Sequence, residues 1–264
     1  MLNQTYDFVV SIGEDCACAG HLNSLGIRKV SSPLDWVDGS SFVLRTELLL
    51  NEFIDYLKAV YLEKYTKKDA THPIKYMRLN PDVPKDQVHE SWINKYYVIK
   101  FHHDFVFRIP FKQNIINVRD KYNRRIERFI HSINDSNRVL FCFIARHKES
   151  PRVLVECIKK LNRKYGAHKI NLLYIEDDKT LGLKDIHTDY YDDVTVVHIN
   201  NTPTDFTTDF TVLLGNIPII KKVILSNIYN YRLFKFRKIF VHVLCAFIPI
   251  RSWRRKTRKK LLKI

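Results

Sequence analysis

Apolar positions fall along this chain in two alternating rhythms. Residues 6–12, YDFVVSI, are a short apolar run broken by Gly13, the pattern of a buried strand. Ala17, Ala19, Leu22 and Leu25 then recur at helical spacing until Gly26, which predicts a short helix over 16–26. Pro33 biases Ser32 away from helix, so VSSPLDW (30–36) reads as a loop. Residues 40–65 read as one or two helices with Phe42, Leu48, Phe53, Leu57 and Val60 inward. Residues 66–92, polar and interrupted by Pro73, Pro81 and Pro84, read as an exposed excursion.

Beyond that excursion the rhythm becomes regular. YYVIKF (96–101), RVLFCFIA (138–145), KINLLYIE (169–176) and VTVVHIN (194–200) read as strands. The amphipathic stretch 114–133 and residues 151–165 read as the helices between them. Near-continuous apolar strands separated by helices predict a mostly parallel sheet buried on both faces. The expected fold class is therefore α/β: a three-layer domain, with a helical insertion after the first βα unit. One catalytic domain over 1–233 and a basic amphipathic tail over 234–264 is the economical division of 264 residues.

Charge changes the picture only at the tail. The formal net charge is +16, yet the last acidic residue is Asp209, and residues 1–209 carry 30 Lys and Arg against 28 Asp and Glu. A nucleic-acid surface needs a cationic folded face, which this nearly neutral body lacks, so no nucleic-acid partner is expected. Five cysteines do not read as a disulfide framework, and MLNQTYDFVV lacks a basic region leading into an apolar stretch and cleavage site. The expectation is a reducing, cytoplasmic setting.

In open α/β sheets, reactive residues gather in loops at the carboxyl ends of the strands. Gly13–Cys16, His102–Asp104 and Arg146–Glu149 fall at such positions, with Asn200 and Asn201 a fourth group. Cys16 stands where a helix begins, and free N–H groups there lower a thiol's pKa and can hold an oxyanion. The plain alternative is a small buried hydrophobe, the role also expected of Cys18. Cys16, Cys18 and His21 lack both CxxC spacing and a second ligand pair, so no metal and no redox pair is expected. His102 or His103 can act as a base or cap a strand end. Arg146 and Glu149 can bind an anion and orient that base, or form a surface pair. Asp104, Glu149 and Asn200 are the candidates for a third catalytic group.

The stretch SIGEDCACAGHLNSLGIRKVSSPLDW resembles the opening signature of a family described as putative papain-like cysteine peptidases. Ser11, Gly13, Cys16, Ala19, Leu22, Arg28, Ser32, Pro33, Asp35 and Trp36 match it, while Leu34 replaces the usual Phe and Ile27 a Leu. FHHDF resembles the family's later His-Asp-Phe at His103, Asp104 and Phe105, and KYNRRIERF and VLFCFIAR resemble its helix and following strand. The resemblance implies Cys16 as nucleophile and His103 as its base, and Asp104, which falls in the same matched stretch, stays one of the candidates for the third catalytic group. Ser11, Gly13, Asp35 and Trp36, with Arg146 and Glu149, are then expected at the substrate. The parallel α/β alternation differs from papain's two lobes. It looks more like SGNH-type esterases or a coenzyme A-binding capsule-biosynthesis family. The function expected is thus a cysteine peptidase working through a thioester on a peptide, with no cofactor. The alternatives are an acyltransferase or esterase of bacterial surface polysaccharide, using coenzyme A and a glycan acceptor, or an inactive membrane-tethered binding protein.

IFVHVLCAFIPI (239–250) is too short to span a bilayer, which takes about 20 residues. It is followed by RSWRRKTRKKLLKI. An apolar stretch beside a basic cluster, with Trp253 at the join, is the composition of an interfacial anchor. The expectation is peripheral association with the anionic inner face of the membrane. The competing reading is a core helix followed by a basic end.

Overall fold

In the computed structural model, the described residues are 6–66, 82, 84, 88–167, 169–228, 253 and 257. Most of the 66–92 excursion, and nearly all of the tail on which the membrane expectation rests, lie outside them. Four apolar runs make the central sheet: β1 (Phe8–Ser11), β6 (Val139–Ile144), β7 (Ile170–Asp177) and β9 (Val194–Ile199) are parallel neighbours. β8 (Ile186–Tyr191) closes the edge antiparallel to β9, giving the order β1-β6-β7-β9-β8. Every residue of β6 is buried, because β6 is flanked on both sides and covered on both faces.

Those faces hold two separate cores. On one, Val9, Leu140, Cys142, Ile144, Leu173 and Ile175 pack with Cys18 and Leu22 of α1 (Cys16–Ser24) and with Ile220 and Ile224 of α6 (Ile217–Ile228). On the other, Phe8, Val10, Phe141, Phe143 and Tyr174 meet α2 (Phe42–Leu50), α3 (Phe111–Asp135) and α4 (Pro151–Tyr165). α5 (Asp209–Leu214) lies against α1. The expected mixed α/β domain with a mostly parallel sheet is what forms.

Two elements depart from expectation. Among the described residues, the stretch after the first βα unit holds the helix α2 and the strands of a second, antiparallel sheet. This sheet runs β2-β5-β4-β3, from β2 (Val37–Gly39), β5 (Ile99–Val106), β4 (His89–Asn94) and β3 (Leu62–Lys64). The strand expected at 96–101 begins only at Ile99. Asn94 Oδ1 accepts the N–H groups of Tyr96 and Tyr97, and Val98 has φ +55°, so residues 95–98 are the β4–β5 turn. β5 consequently runs on through His102, His103 and Asp104, which sit inside an antiparallel strand rather than in a loop beyond a parallel one. Three residues of β5 (102–104) face Ser91 alone, the register slipping between Trp92↔Phe101 and Glu90↔Phe105. This bulge re-aims the strand, leaving Phe101 and Phe105 in the aromatic core with Tyr56 and Tyr122.

Candidate functional site

Cys16 opens α1 directly after β1. Asp15 caps the helix, its Oδ1 accepting the Ala17 N–H at 2.8 Å. Gly13 permits the turn: an added Cβ would stand 2.5 Å from Cys18 Cβ. The next parallel strand, β6, delivers Arg146 to the same place. Its Nε donates to Asp15 Oδ2 at 2.5 Å and its Nη2 to the Leu213 carbonyl at 2.7 Å. Glu14, 5% exposed, completes the seam. Its Oε2 accepts the N–H groups of Arg146 (2.7 Å) and His147 (3.2 Å), and its Oε1 takes His147 Nδ1. The loops after β1 and β6 are thus joined by side-chain contacts at the carboxyl ends of adjacent parallel strands.

Arg45, on the inner face of α2, joins this seam to the second sheet. Fully buried, it donates through Nη2 to the Glu14 carbonyl (3.0 Å) and the Gly39 carbonyl (2.7 Å). Gly39 ends β2, whose Asp38 accepts from Lys100 Nζ at 2.9 Å and faces His102 Nε2 at 3.6 Å, beyond hydrogen-bond length. His102 Nδ1 lies 2.8 Å from Ser91 Oγ. Burial opposes the Asp38 charge, but His102 and Lys100 outweigh it and hold the carboxyl far below its usual range.

The electrostatics of Cys16 correct the expectation of a ready-made thiolate. Burial, then the negative charge of Asp15, push the thiol up to about 11; the helix N–H groups and Arg146 pull the other way, and Asp38 adds to the rise. The capping aspartate offsets the field of the N–H groups it satisfies. Cys18 is further removed: wholly buried, its pKa is pushed up to about 12, and its Sγ donates to the Cys142 carbonyl at 3.2 Å.

The other expected residues separate into two groups. Arg146 stands against the Cys16 cap, and Glu149 lies near Glu14, burial and then that neighbour raising its carboxyl. His103 is on the exposed side of β5, while Asp104 points into the core, bound by Lys121 Nζ and by the Tyr122 hydroxyl at 2.9 Å. Adjacent residues thereby face opposite ways, and both oxygens of Asp104 are engaged by α3. Asp35 is likewise committed, accepting from Arg28 Nε and the Ser32 N–H at 2.8 Å each, with the guanidinium carbon 5.5 Å from the Trp36 ring centroid. Ser11 Oγ accepts the Gly13 N–H at 3.3 Å. In these contacts the signature residues brace the turn and the following loop around Cys16. Asn200 is turned to Thr202 and the Leu181 carbonyl. Among the described residues, no three His, Cys, Asp or Glu side chains gather as metal ligands do.

Asp38 and Arg45 are residues that sequence reasoning passed over, while Glu14 and His147 fell inside the Gly13–Cys16 and Arg146–Glu149 groups without being given a role. His147 had a visible signal, standing beside Arg146 at the end of a core strand. Glu14 and Asp38 had none beyond nearness to Cys16 and Trp36.

A cysteine at the first turn of a helix, after the first strand of an α/β sheet and in the field of two carboxylates and a guanidinium, defines a candidate thiol-enzyme site. Residues 7–179 match the model of the family described as putative papain-like cysteine peptidases, and the chain belongs to that family. It is also 27% identical over 137 residues to an uncharacterised protein of Acanthamoeba polyphaga mimivirus, a match covering 50% of this chain and 59% of that protein's length. No solved structure matches.

Proposed function

We propose that this protein is a cysteine-dependent acyl enzyme with Cys16 as nucleophile, and that it hydrolyses a peptide amide through a thioester. The observation that carries the reading is the position of Cys16: half-buried, yet the least buried of the four described cysteines. It sits where two parallel-strand loops and the second sheet converge. Helix N–H groups beside it are suited to an acyl oxyanion, and Arg146 is suited to an anionic substrate group. No cofactor is needed for that chemistry.

The test is cleavage of a mixed peptide library followed by mass spectrometry, comparing the protein with Cys16→Ala. Cleavage products absent from the variant support hydrolysis; identical products sink the reading. A second reading, acyl transfer to a surface glycan, is favoured by the parallel sheet, which papain does not have. Coenzyme A raising the melting temperature in proportion to the logarithm of its concentration would select it. We further propose that the basic tail attaches the enzyme to anionic membrane, on composition alone. Among the described residues no helix is long and apolar enough to cross one. Sedimentation with anionic but not neutral liposomes tests this.

A further inference from the structure

We infer that His147, oriented by Glu14, is the proton-transfer residue of the Cys16 reaction. The inference deepens the reading of Cys16 as nucleophile and rests on it.

A general base acting on a thiol needs an imidazole with one nitrogen held and the other free. His147 is held in this manner. Its Nδ1 is fixed by Glu14 Oε1, while its side chain is 85% exposed, leaving the Nε2 edge outward. A carboxylate only accepts, so Nδ1 donates to Glu14, and in the neutral imidazole the lone pair is then on Nε2. Glu14 is itself immobilised, since its other oxygen accepts two backbone N–H groups and its side chain is 6% exposed. The His147 carbonyl is pinned too, accepting the Tyr174 hydroxyl at 2.9 Å. Along the chain, Glu14 of this pair stands two positions before Cys16, and His147 follows Arg146, whose guanidinium meets Asp15 beside Cys16.

The remaining described histidines of this region are differently disposed. His102 has Ser91 at Nδ1, and its Nε2 is turned to the Asp38 carboxylate at 3.6 Å, a carboxylate that already accepts from Lys100. The Asp104 carboxylate beside His103 is occupied by Lys121 and Tyr122. His21 is wholly buried, with Nε2 2.9 Å from the Leu214 carbonyl.

In the acylation step, Nε2 accepts the Sγ proton as sulfur bonds to the carbonyl carbon. The tetrahedral oxyanion collapses, the C–N bond breaks, and the imidazolium gives its proton to the leaving amine. In the second step water loses a proton to Nε2 as its oxygen bonds to the thioester carbon. The C–S bond then breaks and the imidazolium reprotonates the thiolate, leaving a carboxylic acid and the free enzyme. The high pKa of Cys16 fits this account, because a thiol that is neutral at rest requires a base at each turnover.

The experiment uses the full chain and p-nitrophenyl acetate, following p-nitrophenolate release and locating the acetyl adduct by peptide mass spectrometry. p-Nitrophenolate leaves without a proton, so the rate isolates the base. His147→Ala should acylate about 100-fold more slowly, within the usual range for a lost general base, and added imidazole should restore most of the rate. Glu14→Gln should be slowed less, and His131→Ala on α3 not at all. Near-native acylation by His147→Ala, slowing that imidazole does not relieve, or collapse in His103→Ala instead would each overturn the proposal. Absence of any Cys16 adduct in the unaltered protein would instead remove the nucleophile reading, and the base with it. Because His147 is exposed, its variant should melt like the parent, so slow acylation there is not unfolding.

Discussion

At the residue scale, the balance around Cys16 decides what can be measured. The thiol's pKa is raised first by burial and then by Asp15 and Asp38, to about 11. Since only the thiolate alkylates, labelling by iodoacetamide should climb steadily from pH 7 to pH 10. A plateau already reached at pH 6.5 would mean that the helix field wins after all. Replacing Asp38 by Asn removes a negative charge and should lower the thiol's pKa, so labelling at pH 8 should become several-fold faster. Cys16 should still precede Cys18 and Cys142, which have no exposed surface. Gly13 offers a second residue-scale test. Gly13→Ala places its Cβ 2.5 Å from that of Cys18, backbone-proximal atoms that cannot swing aside. Urea unfolding should show a loss of roughly 1–3 kcal/mol, the range for overpacking. Cys16 was legible in the sequence because a thiol at a strand–helix junction is a rare coincidence. Glu14 was not, since an acidic residue in a turn is ordinary until its partners, 132 and 133 positions away, are known.

At the scale of elements, legibility followed burial. β6 and β7 sit inside the sheet, need apolar side chains on both faces, and announce themselves as continuous runs. β8 is an edge strand, exposed along much of its length, and its sequence IHTDYY reads as polar loop. β5 was seen but placed in the wrong sheet, because an apolar run does not say which neighbour it will bond. That error carried His102–Asp104 to a loop position they do not occupy. It also hid the role of Asp104, which ties β5 to α3. Asp104→Asn would keep the shape and lose the charge that Lys121 and Tyr122 bind. With the Lys121 side chain one-third exposed, solvent discounts the ion pair. Most of the cost should come from the buried hydrogen bond, about 1–2 kcal/mol. Thermal melting measures this, and an unchanged midpoint would show that α3 is held by its apolar face alone.

At the scale of the whole molecule, the two faces of the sheet were foreseeable and the second sheet was not, because its strands are short, polar on one side and interrupted by turns. Besides apolar packing, α1 is tied to the distant 209–228 segment by a contact that is invisible in sequence, that of a buried histidine. His21 has no exposed surface, its Nε2 meets the Leu214 carbonyl at 2.9 Å, and its Nδ1 has no partner. Burial pulls its pKa from 6.5 down to about 4, with Lys221 and Arg146 lowering it further and the Leu214 carbonyl opposing. The folded chain therefore keeps His21 neutral where the unfolded chain has already bound a proton. Wherever the unfolded state binds more protons, stability rises with pH. The contribution of His21 is thus complete above about pH 6.5, declines as pH falls, and is gone below about pH 4. The shift corresponds to about 3 kcal/mol. Urea unfolding at pH 7 and pH 5 should show a clear loss at the lower pH, and His21→Gln, which cannot take up the proton, should flatten that dependence. If the variant loses as much stability between the two pH values as the parent does, the acid sensitivity lies elsewhere and the junction of α1 with α5 is not its source.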